Sequence, residues 1–344
     1  MKKHLALILG LFAVAIIHAQ SSNHETLYMT KSLANDAIKN VEAKTSGGSI
    51  DVRGGGDQPR IEVYITSSNG RNLPKDEIDQ RLKEYYNRDI SASNNKLTAI
   101  AKNKIRISNW HNALSISFKI YVPQNASTDL STSGGSIYLG NLNGTEDFST
   151  SGGSLTVSRV VGKITGETSG GSIDVSDSKD DIDLGTSGGS IEATSCTGKI
   201  KLSTSGGSLS LHDLNGDIKA NTSGGSVDGK NISGELSAHT SGGSVSLRQL
   251  SCSVDASTSG GNIDAEIAQV GKYIRLNNSG GNIDLRIPKN IGYDLKLYGD
   301  KISTESFEKF SGTIKENKVE GTLNGGGIPV MADAGGGKVS LSFH

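Results

Sequence analysis

The tetrapeptide Thr-Ser-Gly-Gly begins at Thr132, Thr150, Thr168, Thr186, Thr204, Thr222, Thr240 and Thr258, a spacing of 18 residues kept without a slip. A unit this short cannot bury its own apolar face. A fixed period of this kind therefore implies coils stacked one on the next, a solenoid. An earlier copy opens at Thr45, and a relaxed one, Asn278-Ser279-Gly280-Gly281, follows the last after 20 residues instead of 18.

With the Thr as position 1, apolar residues recur at positions 6, 8, 11, 15 and 17. One coil has Ile191, Ala193, Cys196, Ile200 and Leu202, and the next has Leu209, Leu211, Leu214, Ile218 and Ala220. Alternation at 6 and 8, and again at 15 and 17, is the pattern of strands with one buried face. The glycine pairs Gly134 and Gly135, Gly152 and Gly153, Gly170 and Gly171, and Gly188 and Gly189 predict turns where positive φ is allowed. The pairs Gly206 and Gly207, Gly224 and Gly225, Gly242 and Gly243, and Gly260 and Gly261 predict the same. A further Gly at position 13, as in Gly144, Gly162, Gly198, Gly216 and Gly234, predicts a second bend. Parity also carries the Thr of position 1 inward, into a ladder where its hydroxyl bonds a neighbouring Thr or the turn backbone. The fold class expected is all-β: a single-stranded β-solenoid of about ten 18-residue coils with a small α+β N-terminal insertion. Its handedness and the number of faces per coil stay open.

Two further columns test in-register stacking. Position 14 runs Lys163, Asp181, Lys199, Asp217 and Glu235, so charges mostly alternate, each neighbouring pair being worth about 0.2 to 1 kcal/mol. Cys196 and Cys252 lie three coils apart, roughly 14 Å at the strand spacing, beyond disulfide reach. Two buried free thiols are expected.

Composition narrows the partners. The 344 residues include 45 Gly and 5 Pro, 5% are aromatic, and the formal charge is −1. That balance argues against nucleic acid or an anionic membrane as an electrostatic partner. Lys2 and Lys3 followed by the uncharged run Leu5 to Ile17 and by Ala19 predict a signal peptide over residues 1–19, with the mature chain starting near Gln20. No apolar run of spanning length follows, so no transmembrane segment is expected in the mature chain. Export to the periplasm or the cell surface is the expected localisation.

The expected organisation has an N-terminal strand and first coil over 20–65, a helix-and-strand insertion or cap over 66–131, the regular solenoid over 132–298, and irregular C-terminal coils or a cap over 299–344. Within the insertion, Pro74 to Arg88 reads as an amphipathic helix, and Lys96 to Lys102 and Leu114 to Val122 read as strands. Aromatic residues gather at the two ends, among them Tyr64, Tyr86, Trp110, Phe118 and Tyr121, and at the other end Tyr293, Phe307 and Phe310. They are expected to plug the open core. Asn109, Trp110 and His111 additionally form a candidate exposed patch for a sugar or protein ligand.

The chain resembles the putative-adhesin domains of bacterial envelope proteins. The resemblance is carried by the entry Val41-Glu42-Ala43-Lys44-Thr45-Ser46-Gly47-Gly48-Ser49-Ile50-Asp51-Val52, by Ile120-Tyr121-Val122-Pro123 leading into Leu130-Ser131-Thr132-Ser133-Gly134-Gly135, and by the ending Leu323-Asn324-Gly325-Gly326-Gly327. It covers nearly the whole mature chain. It implies a glycine-turn β-solenoid of unknown function, with no catalytic residues to carry over.

No motif brings cofactor or metal chemistry. In glycine-rich calcium solenoids a Gly stands two residues after the pair, where this chain has the buried position of Ile50; position 7 is irregular, leaving only an isolated weak site between Asp174 and Glu192 open. Gly337-Lys338 leads into a strand and not into a phosphate-binding helix, and His212 and His239 occupy different coil positions. Coils of uniform length build no wall for a substrate groove. The reading is a non-enzymatic adhesion or interaction module with an envelope protein or surface glycan as partner. An envelope-stress or scaffolding component is the alternative, and a carbohydrate-active β-helix enzyme is the third class.

Overall fold

The computed structural model describes residues 27–344 apart from 57, 70, 106, 108 and 109; the expected signal peptide and Asn109 lie outside the described residues. Each regular coil contributes one short and one long strand, for example Ile173–Ser176 and Lys179–Thr186. Each strand pairs in parallel with its equivalent one repeat later, Ile173 with Ile191 and Lys179 with Thr197. The result is two parallel ladders, one of short and one of long strands, which settles the number of strands per coil. The expected inward columns are buried: Ile191, Ala193, Cys196, Ile200 and Leu202 form one layer, and the motif threonines Thr132 to Thr258 sit with them. Both cysteines are buried and unpaired. Burial pushes the Cys252 thiol up to about 12 and raises that of Cys196, so neither is a ready nucleophile.

The turn chemistry differs from the expectation in one respect. None of the motif pairs from Gly134 to Gly261 has φ in the left-handed region; that conformation falls at position 10, where Asn141, Arg159, Asp177, Ser195, Asp213, Asn231 and Gln249 have φ of 51 to 56°. It recurs at position 13, in Gly162, Gly198, Gly216 and Gly234. The second glycine of each pair is required for another reason, close approach. A Cβ on Gly153 would lie 2.0 Å from the carbonyl oxygen of Gly135 in the coil before, and one on Gly207 would lie 2.0 Å from that of Gly189. Gln249 tests the corner assignment, because a left-handed residue tolerates Asn but strains a β-branched side chain. Gln249→Val is expected to lower stability by about 1 to 2 kcal/mol and Gln249→Asn to preserve or raise it, read from urea midpoints at constant slope.

The motif threonine pins successive coils. Thr186 Oγ1 donates to the Gly171 carbonyl at 2.8 Å and accepts from the Gly189 amide at 3.3 Å, and the same pair of bonds repeats from Thr150 to Thr258. The bonds run to turn backbone, one of the two expected partners. The charge column at position 14 is in register, Lys163 opposite Asp181 and Lys199 opposite Asp217. The ion pairs that close on this face stand at position 16 instead, Lys201 to Asp183 at 3.0 Å, and Asp255 to Arg275 at 2.9 Å, Arg275 being brought opposite by the two extra residues of its coil. The two extra residues of the coil opened by Thr258 appear as register shifts between Val245–Thr258 and Ile263–Asn278.

Spatial order departs from chain order at both ends. The first coil, Asn40–Thr45 and Ile50–Gly54, stacks directly on Ser127–Thr132 and Ile137–Gly140. The segment between them folds outward as a further coil: Lys96–Asn103 pairs in parallel with Asn40–Thr45, and Leu114–Val122 with Ile50–Gly54. Antiparallel strands Arg60–Ser67 and Tyr86–Ser93 edge that outer coil, and the expected division between residues 65 and 66 falls inside Arg60–Ser67. At the other end the last strands, Ile328–Asp333 and Lys338–Phe343, return to stack on Ile263–Asn278 and Ile283–Ile287. Tyr293–Tyr298 and Lys301–Thr304 then lie outside them. The first and last coils are thereby held inside the stack, and internal excursions, with the strand Leu27–Ser32 added antiparallel to Arg60–Ser67, cover the core.

The amphipathic helix spans Lys75–Tyr85 and buries Ile78 and Leu82. It stops three residues short of the expected Arg88, because Tyr86 opens the strand Tyr86–Ser93. The Tyr86 ring is buried, and its hydroxyl accepts from the Leu114 amide at 2.7 Å, which holds the residue in the extended backbone of the sheet.

Candidate functional site

Between Thr132 and Thr258 the coils keep one length. A shallow trough of about 480 Å³ runs along the motif corners, lined by hydroxyls such as Ser133, Thr150, Ser151, Thr168 and Ser187. The threonine hydroxyls there are already spent on the coil-to-coil bonds. His212 bonds Ser210 at 2.8 Å, and His239 bonds Ser237 at 2.8 Å and Ser257 at 2.7 Å, so each imidazole is held in a surface hydroxyl cluster of its own. Among the described residues, no group of three His, Cys, Asp or Glu side chains converges to hold a metal ion. Asp174 and Glu192 stand opposite one another, and burial with the neighbouring Glu192 raises the Asp174 carboxyl. Two carboxylates alone supply too few oxygens for a Ca²⁺ cage.

The N-terminal end is different. Trp110 and His111 form a short 3-10 turn just before Leu114–Val122, with ring centroids 4.1 Å apart and planes tilted by 36°. The turn is anchored through its backbone: Ser68 Oγ donates to the Trp110 carbonyl at 2.7 Å, and Arg81 Nη1 to the His111 carbonyl at 2.8 Å. The Trp110 side chain itself is 57% exposed, and Ile105, on the same connection, is 55% exposed. A fixed backbone carrying exposed apolar side chains is what a recognition loop needs, since little ordering entropy remains to be lost on binding.

The plug expectation holds for part of the aromatic set. Tyr86, Phe118 and Tyr293 are buried and Trp110 is exposed, whereas Tyr64 and Tyr121, with Tyr138 of the first regular coil, lie half-buried on an outer sheet face. Each of those three rings carries a cation: the Arg60 guanidinium stands 3.8 Å from the Tyr121 centroid, Lys119 Nζ 4.4 Å from Tyr64, and the Arg53 guanidinium 4.8 Å from Tyr138. Carboxylates complete the mesh, with Arg60 on Glu62 at 2.7 Å and Arg53 on Asp51 at 2.8 Å, which raises both guanidinium groups. The alternation Arg60-Ile61-Glu62-Val63-Tyr64-Ile65 already puts Arg60, Glu62 and Tyr64 on one face. Position 15 hid a second residue. Glu146 occupies that inward column where the following coils carry Ile164, Ile182 and Ile200, and it is fully buried.

The model of the family described as Toastrack DUF4097 matches residues 60–341. No curated protein matches the sequence. Among solved structures, a putative adhesin from Parabacteroides distasonis ATCC 8503 is 15% identical over 71% of this chain and 98% of its own, with a TM-score of 0.47. A putative cell adhesion protein from Clostridium sporogenes ATCC 15579 is 12% identical over 92% of this chain and 98% of its own, with a TM-score of 0.22. A putative lipid binding protein from Parabacteroides distasonis ATCC 8503 is 15% identical over 71% of this chain and 96% of its own, with a TM-score of 0.35.

Proposed function

From the premise that the chain belongs to the Toastrack DUF4097 family, we propose that it is an exported, non-enzymatic interaction module of the bacterial envelope. Its partner is a surface glycan or another envelope protein, engaged through the N-terminal end. The observation that carries this reading is the anchored turn at Trp110 and His111, which holds a large exposed indole at the N-terminal end. Trp is the side chain most often found to dominate an interface, and its apolar face also stacks on sugar rings. The even coil length supports the non-enzymatic reading: coils of one length leave the trough at Thr150 and Thr168 without walls. Among the described residues no helix is long and apolar enough to cross a membrane.

The test uses labelled protein and the envelope fraction of the native host. Trp110→Ala is expected to keep the thermal midpoint, since an exposed side chain contributes within about 0.5 kcal/mol, and to weaken co-sedimentation with the fraction by about 10-fold or more. Unchanged co-sedimentation would remove the N-terminal end as the binding site. Shortening of polysaccharide chains by the purified protein would overturn the non-enzymatic reading.

A further inference from the structure

Glu146 is the residue of the rod that breaks the inward pattern without an evident structural return. Thr128 Oγ1 donates to its Oε2 at 2.6 Å, while Oε1 has no hydrogen-bond partner among the described residues. Its position in the fold is equally particular. The strand Asn143–Thr150 pairs with the next coil over its whole length, Asn143 to Thr150, but with Ser127–Thr132 only from Glu146 to Thr150. Glu146 is therefore the first rung of the ladder that joins the regular array to the N-terminal coils. Before it, irregular bonds replace the ladder: the Asn143 amide donates to the Gln124 carbonyl at 2.8 Å and the Thr145 amide to Ser127 Oγ at 3.0 Å. A groove of about 430 Å³ lies over this joint, lined by Ser127, Thr128 and Thr145, with Glu42, Lys96 and Asp129 on it.

No charged group compensates the carboxylate. On its own strand and the flanking ones, Asp147, Asp129 and Lys163 alternate to the exposed face. Across the core, Ile137–Gly140 and Leu155–Ser158 turn Ile137, Leu139, Leu155 and Val157 inward, none of them titratable. In the groove, Lys96 is paired with Glu42 at 2.6 Å, and Lys44 with Glu42 at 2.7 Å and with Asp129 at 2.8 Å. A neutral carboxyl fits this environment with its one hydroxyl partner; an ionised one requires water, and the groove is where water enters.

We propose that Glu146 makes the joint between the N-terminal coils and the regular array proton-operated, tight when its carboxyl is neutral and loosened, with water admitted past Ser127 and Thr128, when it ionises. Burial pushes this carboxyl up to about 7, against an ordinary value of 4.5. The folded joint thus holds a proton that the open joint releases. Protection from this group is complete below about pH 4.5, falls as pH rises toward 7, and is flat above, a change on the order of 100-fold in the opening equilibrium.

Hydrogen exchange on the full chain reads this directly. After correction for intrinsic rates, the amides of 127–132 and 146–150 are expected to lose protection on the order of 100-fold between pH 5 and pH 8 in the wild type, and to keep it in Glu146→Gln. A flat wild-type profile, or the same loss in Glu146→Gln, overturns the proposal. If that variant does not fold, Thr128→Val provides the second reading: it removes the bond that favours the ionised form while leaving the acid. It must move the midpoint of the loss to higher pH, and an unmoved midpoint assigns the effect to another group.

Discussion

Replacing Gly189 by alanine is expected to destabilise the rod by more than about 4 kcal/mol, while the same change one residue earlier, Gly188→Ala, is expected to cost no more than about 1 kcal/mol. The two glycines are neighbours in one motif and neither has a left-handed φ, so propensity alone predicts equal effects. Space separates them. A Cβ on Gly189 would stand 2.1 Å from the Gly171 carbonyl oxygen and 2.7 Å from the Ser172 amide nitrogen, both backbone atoms of the coil below. On Gly188 it would meet nothing closer than 3.5 Å. Relief at Gly189 requires the coils to separate at that corner. That movement would also break the bonds of Thr186 to the Gly171 carbonyl and the Gly189 amide, leaving buried polar groups unpaired. Chemical denaturation of the two variants side by side checks this; equal midpoints would contradict the close-packed corner.

Excising residues 204–221, one full coil, is expected to give a folded, cooperative and slightly shorter protein. Thr222 then takes the place of Thr204 above Thr186, Leu236 that of Ile218 above Ile200, and Glu235 meets Lys199, so the charge column keeps its alternation. At about 0.05 to 0.15 kcal/mol per residue, losing the coil costs about 1 to 3 kcal/mol. Excising half as much, residues 204–212, is expected to abolish folding of the array. It sets a long strand over a short one, turns Leu214 out at position 2 and puts the β-branched Thr222 at the left-handed corner of position 10. Circular dichroism and thermal melts of the two deletions decide the matter, and a folded half-coil variant would refute the one-repeat register.

The end caps show where reading by residue stopped. Helical spacing placed Ile78 and Leu82 on the buried side of a helix, but not the end of that helix at Tyr85, which depends on Tyr86 meeting the Leu114 backbone in the sheet. Asn109, Trp110 and His111 were recognisable as an aromatic cluster in a polar chain; that the indole faces water follows from bonds made by Ser68 and Arg81, distant in sequence. Glu146 is an acid in a column of isoleucines that the alternation did not single out, and its place on the first rung of the pairing with Ser127–Thr132 came only from the fold.

The sequence by itself determined the repeat, the faces of each strand, the inward threonines and the isolation of the two cysteines. Each of these follows from side-chain alternation along a strand and an unbroken 18-residue period, properties of consecutive residues. Only the tertiary structure decided that the coil opened by Thr45 lies inside the stack with residues 60–122 beyond it, and that Ile328–Phe343 returns inside at the other end. Strand edges pair through backbone groups that every residue carries, so an edge's own residues do not name its partner, and the choice rests on which arrangement buries the core faces.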